Sequence, residues 1–180
     1  FRTNFVIGFA LVDHQFRSRV PQPRWPPVGA QPGNVDHPAR RESNMSVDWQ
    51  SIGEIGTPIP ALQRRIDQAA MVAYAGATWD WHRIHYDIEF AKSLGFSAPI
   101  VDGQVFGALM AECLQDWLGP QVWVRKLSFR FKTPVVAGAT VRCEGETSQA
   151  RDGEFDVDLR VVTVDDEGNV TTTAAVGEAT

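Results

Sequence analysis

The feature that most restricts the fold of this chain is a change of hydrophobic period at Pro120. From Gly103 to Leu118, the residues Val105, Phe106, Leu109, Met110, Cys113, Leu114, Trp117 and Leu118 recur at spacings of three and four. That spacing predicts a helix whose apolar surface is wide enough to be buried on most sides. Beyond Pro120 the period is two. Leu127, Phe129 and Phe131 alternate with Lys126, Ser128, Arg130 and Lys132, as in a strand with one face in a core. Val141 and Cys143 repeat the pattern, as do Phe155, Val157, Leu159 and Val161. Asp152-Gly153 and the run Asp165 to Asn169 supply turn residues between these strands, and a last strand is expected over about 170–176. Helices first and antiparallel strands afterwards imply an α+β fold, with one long helix lying against a sheet.

Two shorter helices are expected before the long one. Asp67 is placed to cap the first, with Ile66, Ala69, Ala70, Ala73 and Tyr74 on one face and Gly76 ending it. Asp87 is placed to cap the second, over 88–94, with Phe90, Ala91 and Leu94 facing inward and Gly95 stopping it.

The first 44 residues differ in kind. They hold six of the eleven prolines, six arginines and three acidic residues, and 20–38 has neither helical nor strand period. Residues 1–44 are therefore expected to be an irregular leader, disordered or not native to the folded protein. An amphipathic face that would make the leader a targeting signal is not sustained. Met45 opens what reads as the natural start of the domain, 45–180, whose 11 basic and 19 acidic groups leave it at −8. The whole chain carries −5, the opposite of the basic surplus that a nucleic-acid binder shows. The apolar run Phe5 to Val12 is too short to span a bilayer. Cys113 and Cys143 are the only cysteines and lack metal-type spacing, which suits a reducing cytoplasm better than a disulfide framework. The expected location is cytoplasmic.

Chemistry-bearing side chains concentrate in Thr78 to Asp87, TWDWHRIHYD, which holds two histidines, two aspartates, an arginine and three aromatics. Lying between two helices, this stretch is expected to be a loop from which side chains reach a substrate. An aspartate and a histidine five residues apart in irregular backbone can converge on one water or one substrate proton and divide acid and base work. A metal site from Asp80, His82, His85 and Asp87 is the alternative, but no further ligand spacing recurs, and no metal is expected. Neither a phosphate-binding glycine motif nor a Gly-x-Ser-x-Gly elbow is present.

Residues Tyr74 to Gly103, YAGATWDWHRIHYDIEFAKSLGFSAPIVDG, resemble the MaoC-like hydratase/dehydratase family, which includes the (R)-specific enoyl-CoA hydratases. That family's motif runs aromatic-Ala, Ser-Gly-Asp-x-Asn-Pro-Ile-His-x-Asp, Phe-Ala, Gly-Phe, Pro-Ile and a His-Gly that opens a long helix. Asp80 and His85 fall on its catalytic pair, and Phe90-Ala91, Gly95-Phe96, Pro99-Ile100 and Gly103 keep the spacing without a gap. Phe129, Pro134-Val135 and Gly138 match a strand-and-turn pattern further on. The resemblance covers most of 65–176 and none of 1–44. It implies a hot-dog fold, with the helix at 103–118 wrapped by an antiparallel sheet, and a dimer with an identical or related hot-dog chain. It also implies reversible addition of water to a trans-2-enoyl thioester, with coenzyme A as part of the substrate and no other cofactor. Asp80 and His85 would handle the water and the α-carbon proton. The Gly103 N–H, at a helix start, would face the charge developing on the thioester oxygen, and the missing side chain would let the acyl group come close.

The chain departs from the motif where substrate would be held. Ser-Gly becomes Thr78-Trp79, Asn-Pro becomes His82-Arg83, and the histidine before the helix glycine becomes Asp102. A helper serine sometimes found in the helix falls on Ala111. Trp79, His82, Arg83, Tyr86 and Asp102 are accordingly the candidate substrate-binding residues. Arg83 would clamp a carboxylate or a CoA phosphate; Asp102 is either a helix cap or a charge opposed to the oxyanion. Lys126, Arg130 and Lys132 form a basic strand face. Two rival functions share the fold: a thioesterase acting on the same substrates, and a non-catalytic acyl-CoA-binding subunit of a heteromeric dehydratase.

Overall fold

The computed structural model describes residues 5–7, 54–151 and 154–180. The expected Asp152-Gly153 turn and the start at Met45 lie outside the described residues. The elements are β1 (Phe5–Ile7), β2 (Leu62–Arg65), α1 (Gln68–Thr78), a 3-10 turn (Arg83–His85), α2 (Ile88–Ser93), α3 (Gln104–Leu118), a second 3-10 turn (Gly119–Gln121), β3 (Leu127–Phe131), β4 (Thr140–Arg151), β5 (Glu154–Val164) and β6 (Val170–Ala179). The six strands form one sheet in the order β1-β3-β6-β5-β4-β2, with every pairing antiparallel. No helix of the described residues is long and apolar enough to cross a membrane.

Helix α3 lies on the inner face of β3, β4 and β5. Its Val105, Phe106, Leu109, Met110, Cys113, Leu114 and Leu118 are buried against Leu127, Phe129, Val141, Cys143, Val157, Leu159 and Val161, which are the inward members of the alternating strands. Two helix glycines set how closely the layers meet. A Cβ at Gly107 would stand 2.4 Å from the Phe129 ring, and one at Gly103 would stand 2.5 Å from the Phe131 ring. Glycines four apart on α3 thus form a groove for aromatics two apart on β3, and the rings pack edge to face at 5.7 Å. Each period places its residues on one line, so a 3.6-period helix and a 2-period strand mesh there.

Several expectations need correction. Residues 1–44 were expected to be irregular throughout, yet Phe5–Ile7 form a strand against Leu127–Phe129, because three β-prone residues supply main-chain partners to an open sheet edge. Strand β2 was not foreseen: LQRR has no alternation, and its register on β4, Leu62 opposite Cys143 through Arg65 opposite Thr140, comes from the backbone. Helix α1 runs past Gly76 to Thr78, and its buried residues are Met71 and Ala75. Ala69, Ala70 and Ala73 are exposed; the small alanines carried no information about which side faces inward. In α2, Ala91 is buried, but Leu94 is 51% exposed. Strand β6 continues to Ala179 because β3 and β5 both pair with its last residues.

The caps follow the sequence. Asp67 Oδ1 accepts from the Ala70 N–H at 2.8 Å, and Asp87 Oδ1 accepts from the Phe90 N–H at 2.9 Å. Gly95 has φ +87° after α2. In the turn between β5 and β6, Asp165 Oδ1 accepts from the Glu167 and Asn169 N–H groups, and Gly168 takes φ +85°.

Candidate active site

The segment between α1 and α2 is a chain of side-chain caps. Asp80 Oδ1 accepts from the His82 N–H at 3.1 Å, and His82 Nδ1 accepts from the Ile84 N–H at 3.3 Å. The 3-10 turn at Arg83–His85 follows, so the expected loop contains one tight turn. Each short polar side chain here satisfies a main-chain donor that no ladder reaches. The Tyr86 hydroxyl donates to the Trp81 carbonyl at 3.1 Å, and Gln68 Nε2 donates to the Tyr86 carbonyl at 2.6 Å, tying the segment to the start of α1.

This scaffold aims His85. Its Nδ1 lies 2.8 Å from the Ile100 carbonyl oxygen. A carbonyl only accepts, so Nδ1 carries the hydrogen, and Nε2 of the neutral ring keeps its lone pair. Ile100 is itself held from both sides, by its N–H to the Ile84 carbonyl and by a β-bridge to Val136. Two residues later the chain enters α3. Asp102 Oδ1 accepts from the Gln104 N–H at 2.9 Å, a capping bond at the positive end of a 15-residue helix where an anion is favoured. Asp102 is 8% exposed, and its Oδ2 is buried with no hydrogen-bond partner among the described residues.

The result is a three-residue cluster: a carboxylate oxygen of Asp80, a ring nitrogen of His85 and a carboxylate oxygen of Asp102 all lie within 4.8 Å of one another. Asp80 and His85 meet as the sequence led us to expect. Asp102 joins them, whereas in the sequence it was a substrate-binding candidate read as a cap or an opposing charge. Asp87, weighed there as a metal partner, faces elsewhere. It caps α2 and takes Arg83 Nε and Nη2 at 3.0 and 2.7 Å. The Phe90 N–H, and then Arg83, hold its carboxyl below the usual range.

The remaining candidates divide by engagement. Arg83 is occupied, paired with Asp87 and stacked 4.7 Å over the Phe90 ring, so it does not offer a free fork. His82 is exposed, with its ring edge on to His85 at 6.0 Å and to Phe90 at 6.1 Å. Trp79 is 80% exposed and holds φ 61°, the left-handed backbone that explains a glycine in the related motif. Its ring meets Trp81, which in turn meets Tyr86, both edge to face. At Gly103 the space of the missing side chain is taken by the Phe131 ring, which corrects the expectation that an acyl group would lie there. The Gly103 N–H makes no hydrogen bond among the described residues.

Two neighbours escaped the sequence reading. Tyr74 was seen as part of a helix face and as the aromatic that opens the related motif, with no role in the site, yet burial and then the Asp102 charge push its phenol above its ordinary value, so it stays a neutral hydroxyl beside the cluster. Phe131 was read only as a core residue. For Tyr74 the available signal was its place as the aromatic that opens the related motif. Cys113 is remote from all this: its thiol donates to the Pro60 carbonyl at 3.4 Å, and its neighbour Cys143 is pushed upward by the Cys113 thiol and by burial. A cavity of about 510 Å³, lined by Leu114, Leu118, Trp123, Phe155 and Val157 among others, opens at the C-terminal end of α3 and contains none of the cluster.

The chain is similar to known proteins. The chain is 28% identical over 99 residues, 55% of its length and 77% of the relative's, to the 3-oxo-4,17-pregnadiene-20-carboxyl-CoA hydratase beta subunit of Mycobacterium tuberculosis. It is 32% identical over 92 residues, 51% of its length and 69% of the relative's, to the (R)-specific enoyl-CoA hydratase of Aeromonas caviae. Among solved structures it superposes on a chain of the ChsH1-ChsH2 complex from Mycobacterium tuberculosis with a TM-score of 0.60, at 25% identity over 70% of this chain and 94% of that one. The fold is the hot-dog arrangement of these relatives, a long helix wrapped by an antiparallel sheet. With the family described as MaoC like domain matching residues 50–170, the chain belongs to the MaoC-like hydratase family.

Proposed function

We propose that the protein interconverts trans-2-enoyl and 3-hydroxyacyl thioesters by adding or removing water, with coenzyme A as the thiol and Asp80 and His85 as the acid-base pair. The observation that carries this reading is the convergence of Asp80 on His85 at the start of α3, with His85 Nε2 kept unprotonated by the bond from Nδ1 to Ile100. In hydration the water oxygen forms a bond to C3 while Nε2 takes one of its protons and Asp80 holds the other. The double-bond electrons shift toward the thioester oxygen, where the free Gly103 N–H at the helix N-terminus stabilises the developing charge. A proton returned from the Asp80–His85 pair to C2 completes the addition, and dehydration is the reverse. No redox cofactor enters. Both curated relatives are CoA hydratases by name, which favours CoA over a carrier protein.

The test follows loss of the enoyl-thioester absorbance with short, medium, branched and dicarboxylic trans-2-enoyl-CoAs, with free thiol monitored in parallel. Absorbance should fall without thiol release. Asp80→Asn and His85→Gln should each lower kcat/KM by about 10²–10⁴-fold. Thiol release instead would make the protein a thioesterase.

A second reading has its own observation. One relative is a beta subunit and one structural neighbour is a two-component complex, while Val72, Trp79 and Trp81 are 42%, 80% and 45% exposed here. These suit pairing with an identical or related hot-dog chain across α1 and the mouth of the site. If the chain is a non-catalytic subunit, the isolated protein binds acyl-CoA without turnover, and activity of the complex survives both substitutions.

A further inference from the structure

We propose that Asp80, His85 and Asp102 form a binding site for a divalent metal ion of borderline softness, with Zn²⁺ as its probe. Three atoms within 4.8 Å of one another belong to lone-pair donors, two carboxylates and a histidine ring; because the Ile100 carbonyl claims the Nδ1 hydrogen, Nε2 is the nitrogen left open to a metal. With the carboxylates ionised and the imidazole neutral, none of them offers a hydrogen to another, and a cation among them would offset their charge. Asp102 makes the demand specific. It is more than nine-tenths buried, one oxygen is spent on the Gln104 N–H, and the other has no partner among the described residues.

The surroundings are those of a ligand set. A metal-bound histidine typically donates its other ring N–H to a backbone carbonyl, and ligating carboxylates are themselves hydrogen-bonded. Here His85 Nδ1 bonds the Ile100 carbonyl, Asp80 accepts from the His82 N–H, and Asp102 accepts from the Gln104 N–H. Metal–ligand bonds of about 2.0–2.2 Å place neighbouring ligand atoms of a tetrahedral site roughly 3.4 Å apart, so the three atoms, now within 4.8 Å of one another, close on the ion by up to an ångström or slightly more. Asp80, in the irregular segment before the 3-10 turn, and His85, at the end of that turn, are half-buried and supply that movement. One imidazole with two carboxylates suits Zn²⁺ or Mn²⁺ rather than soft Cu⁺.

Binding here would engage the same lone pairs that the proposed hydration uses, so Zn²⁺ would inhibit it. The inhibition rests on that functional reading; the binding does not. Metal-free full-length protein titrated calorimetrically with Zn²⁺ should take up an ion that is weakened about 10–100-fold by Asp102→Asn and by His85→Gln. Asp87→Asn, outside the cluster, should leave it unchanged. Co²⁺ substitution should give visible absorption bands that the same two variants abolish. Asp80→Asn, in the half-exposed loop, serves if the buried Asp102→Asn does not fold. Uptake that survives loss of both Asp102 and His85, or no uptake by the wild type, overturns the site. Zn²⁺ binding without hydratase activity would instead leave the site standing and sink the proposed reaction. Activity insensitive to bound Zn²⁺ would overturn the shared use of these atoms.

Discussion

At the scale of single residues, the site is built from groups whose main-chain bonds decide their chemistry. His85 has a free Nε2 lone pair, as the proposed base requires, because the Ile100 carbonyl claims its Nδ1 hydrogen, and Ile100 is in place because Ile84 and Val136 hold it. Trp79 shows the cost of departing from the related motif. A tryptophan at φ 61° is strained by about 1–2 kcal/mol relative to right-handed backbone, and its exposed ring regains little of this by burial. Trp79→Gly should therefore raise stability by roughly 0.5–1 kcal/mol, after the greater unfolded-state entropy of glycine is discounted. Urea midpoints of the two proteins check this. The same substitution should raise KM for bulky enoyl-CoAs if the ring contacts substrate, and a lower midpoint would mean that the indole is packed. The Asp80–His85 pair was legible through the resemblance around TWDWHRIHYD. The engagement of Arg83 by Asp87 and Phe90 was not, because an exposed arginine has several partners within reach and sequence does not rank them.

At the scale of elements, the seat of β3 on α3 governs how much substitution the core accepts. Gly107 faces Phe129, which is 3% exposed, whereas Gly103 faces Phe131, which is 41% exposed. Gly107→Ala should destabilise the protein by about 1–3 kcal/mol, since the ring it meets has nowhere to go. The gain in helix propensity, about 1 kcal/mol, offsets part of this. Gly103→Ala should cost less in stability, because Phe131 can swing toward solvent, yet it should lower kcat more by disturbing the mouth of the site. Thermal unfolding and turnover of the two variants side by side distinguish the cases; equal loss of stability would show that Phe131 is as fixed as Phe129. Asp67→Ala removes the side chain that caps α1 and should cost about 1 kcal/mol, read from the urea midpoint. The long helix, α2 and the alternating strands were legible because each repeats its period over enough residues. Strands β1 and β2 were not, since edge strands of three and four residues carry no face pattern and are defined by the strand beside them.

At the scale of the whole molecule, charge sets the response to pH. Asp156 is held below its ordinary range by the Thr180 hydroxyl and then Arg151, and Asp165 by the Asn169 main-chain and side-chain N–H groups. Burial pushes Glu144 up, but its bonds from Arg142 and Arg160 outweigh that and leave it lowered. With Asp87 these groups bind protons less tightly in the folded protein than in the unfolded chain. Protonation therefore favours unfolding, and the stability they contribute is present above the ordinary carboxylate range and is lost as pH falls through it, from about pH 4 downward. The urea midpoint should be lower at pH 3 than at pH 7, and equal midpoints would contradict the assignment. Periodicity by itself determined that a long buried helix would face an antiparallel sheet, because repeated apolar spacing constrains which side of each element leaves water. The motif by itself singled out Asp80 and His85. That Asp102 would meet them with a buried, unpartnered oxygen, and that Phe131 would fill the space at Gly103, only the tertiary structure decided. Such contacts join residues far apart in the chain, and they depend on how the layers pack rather than on any local preference.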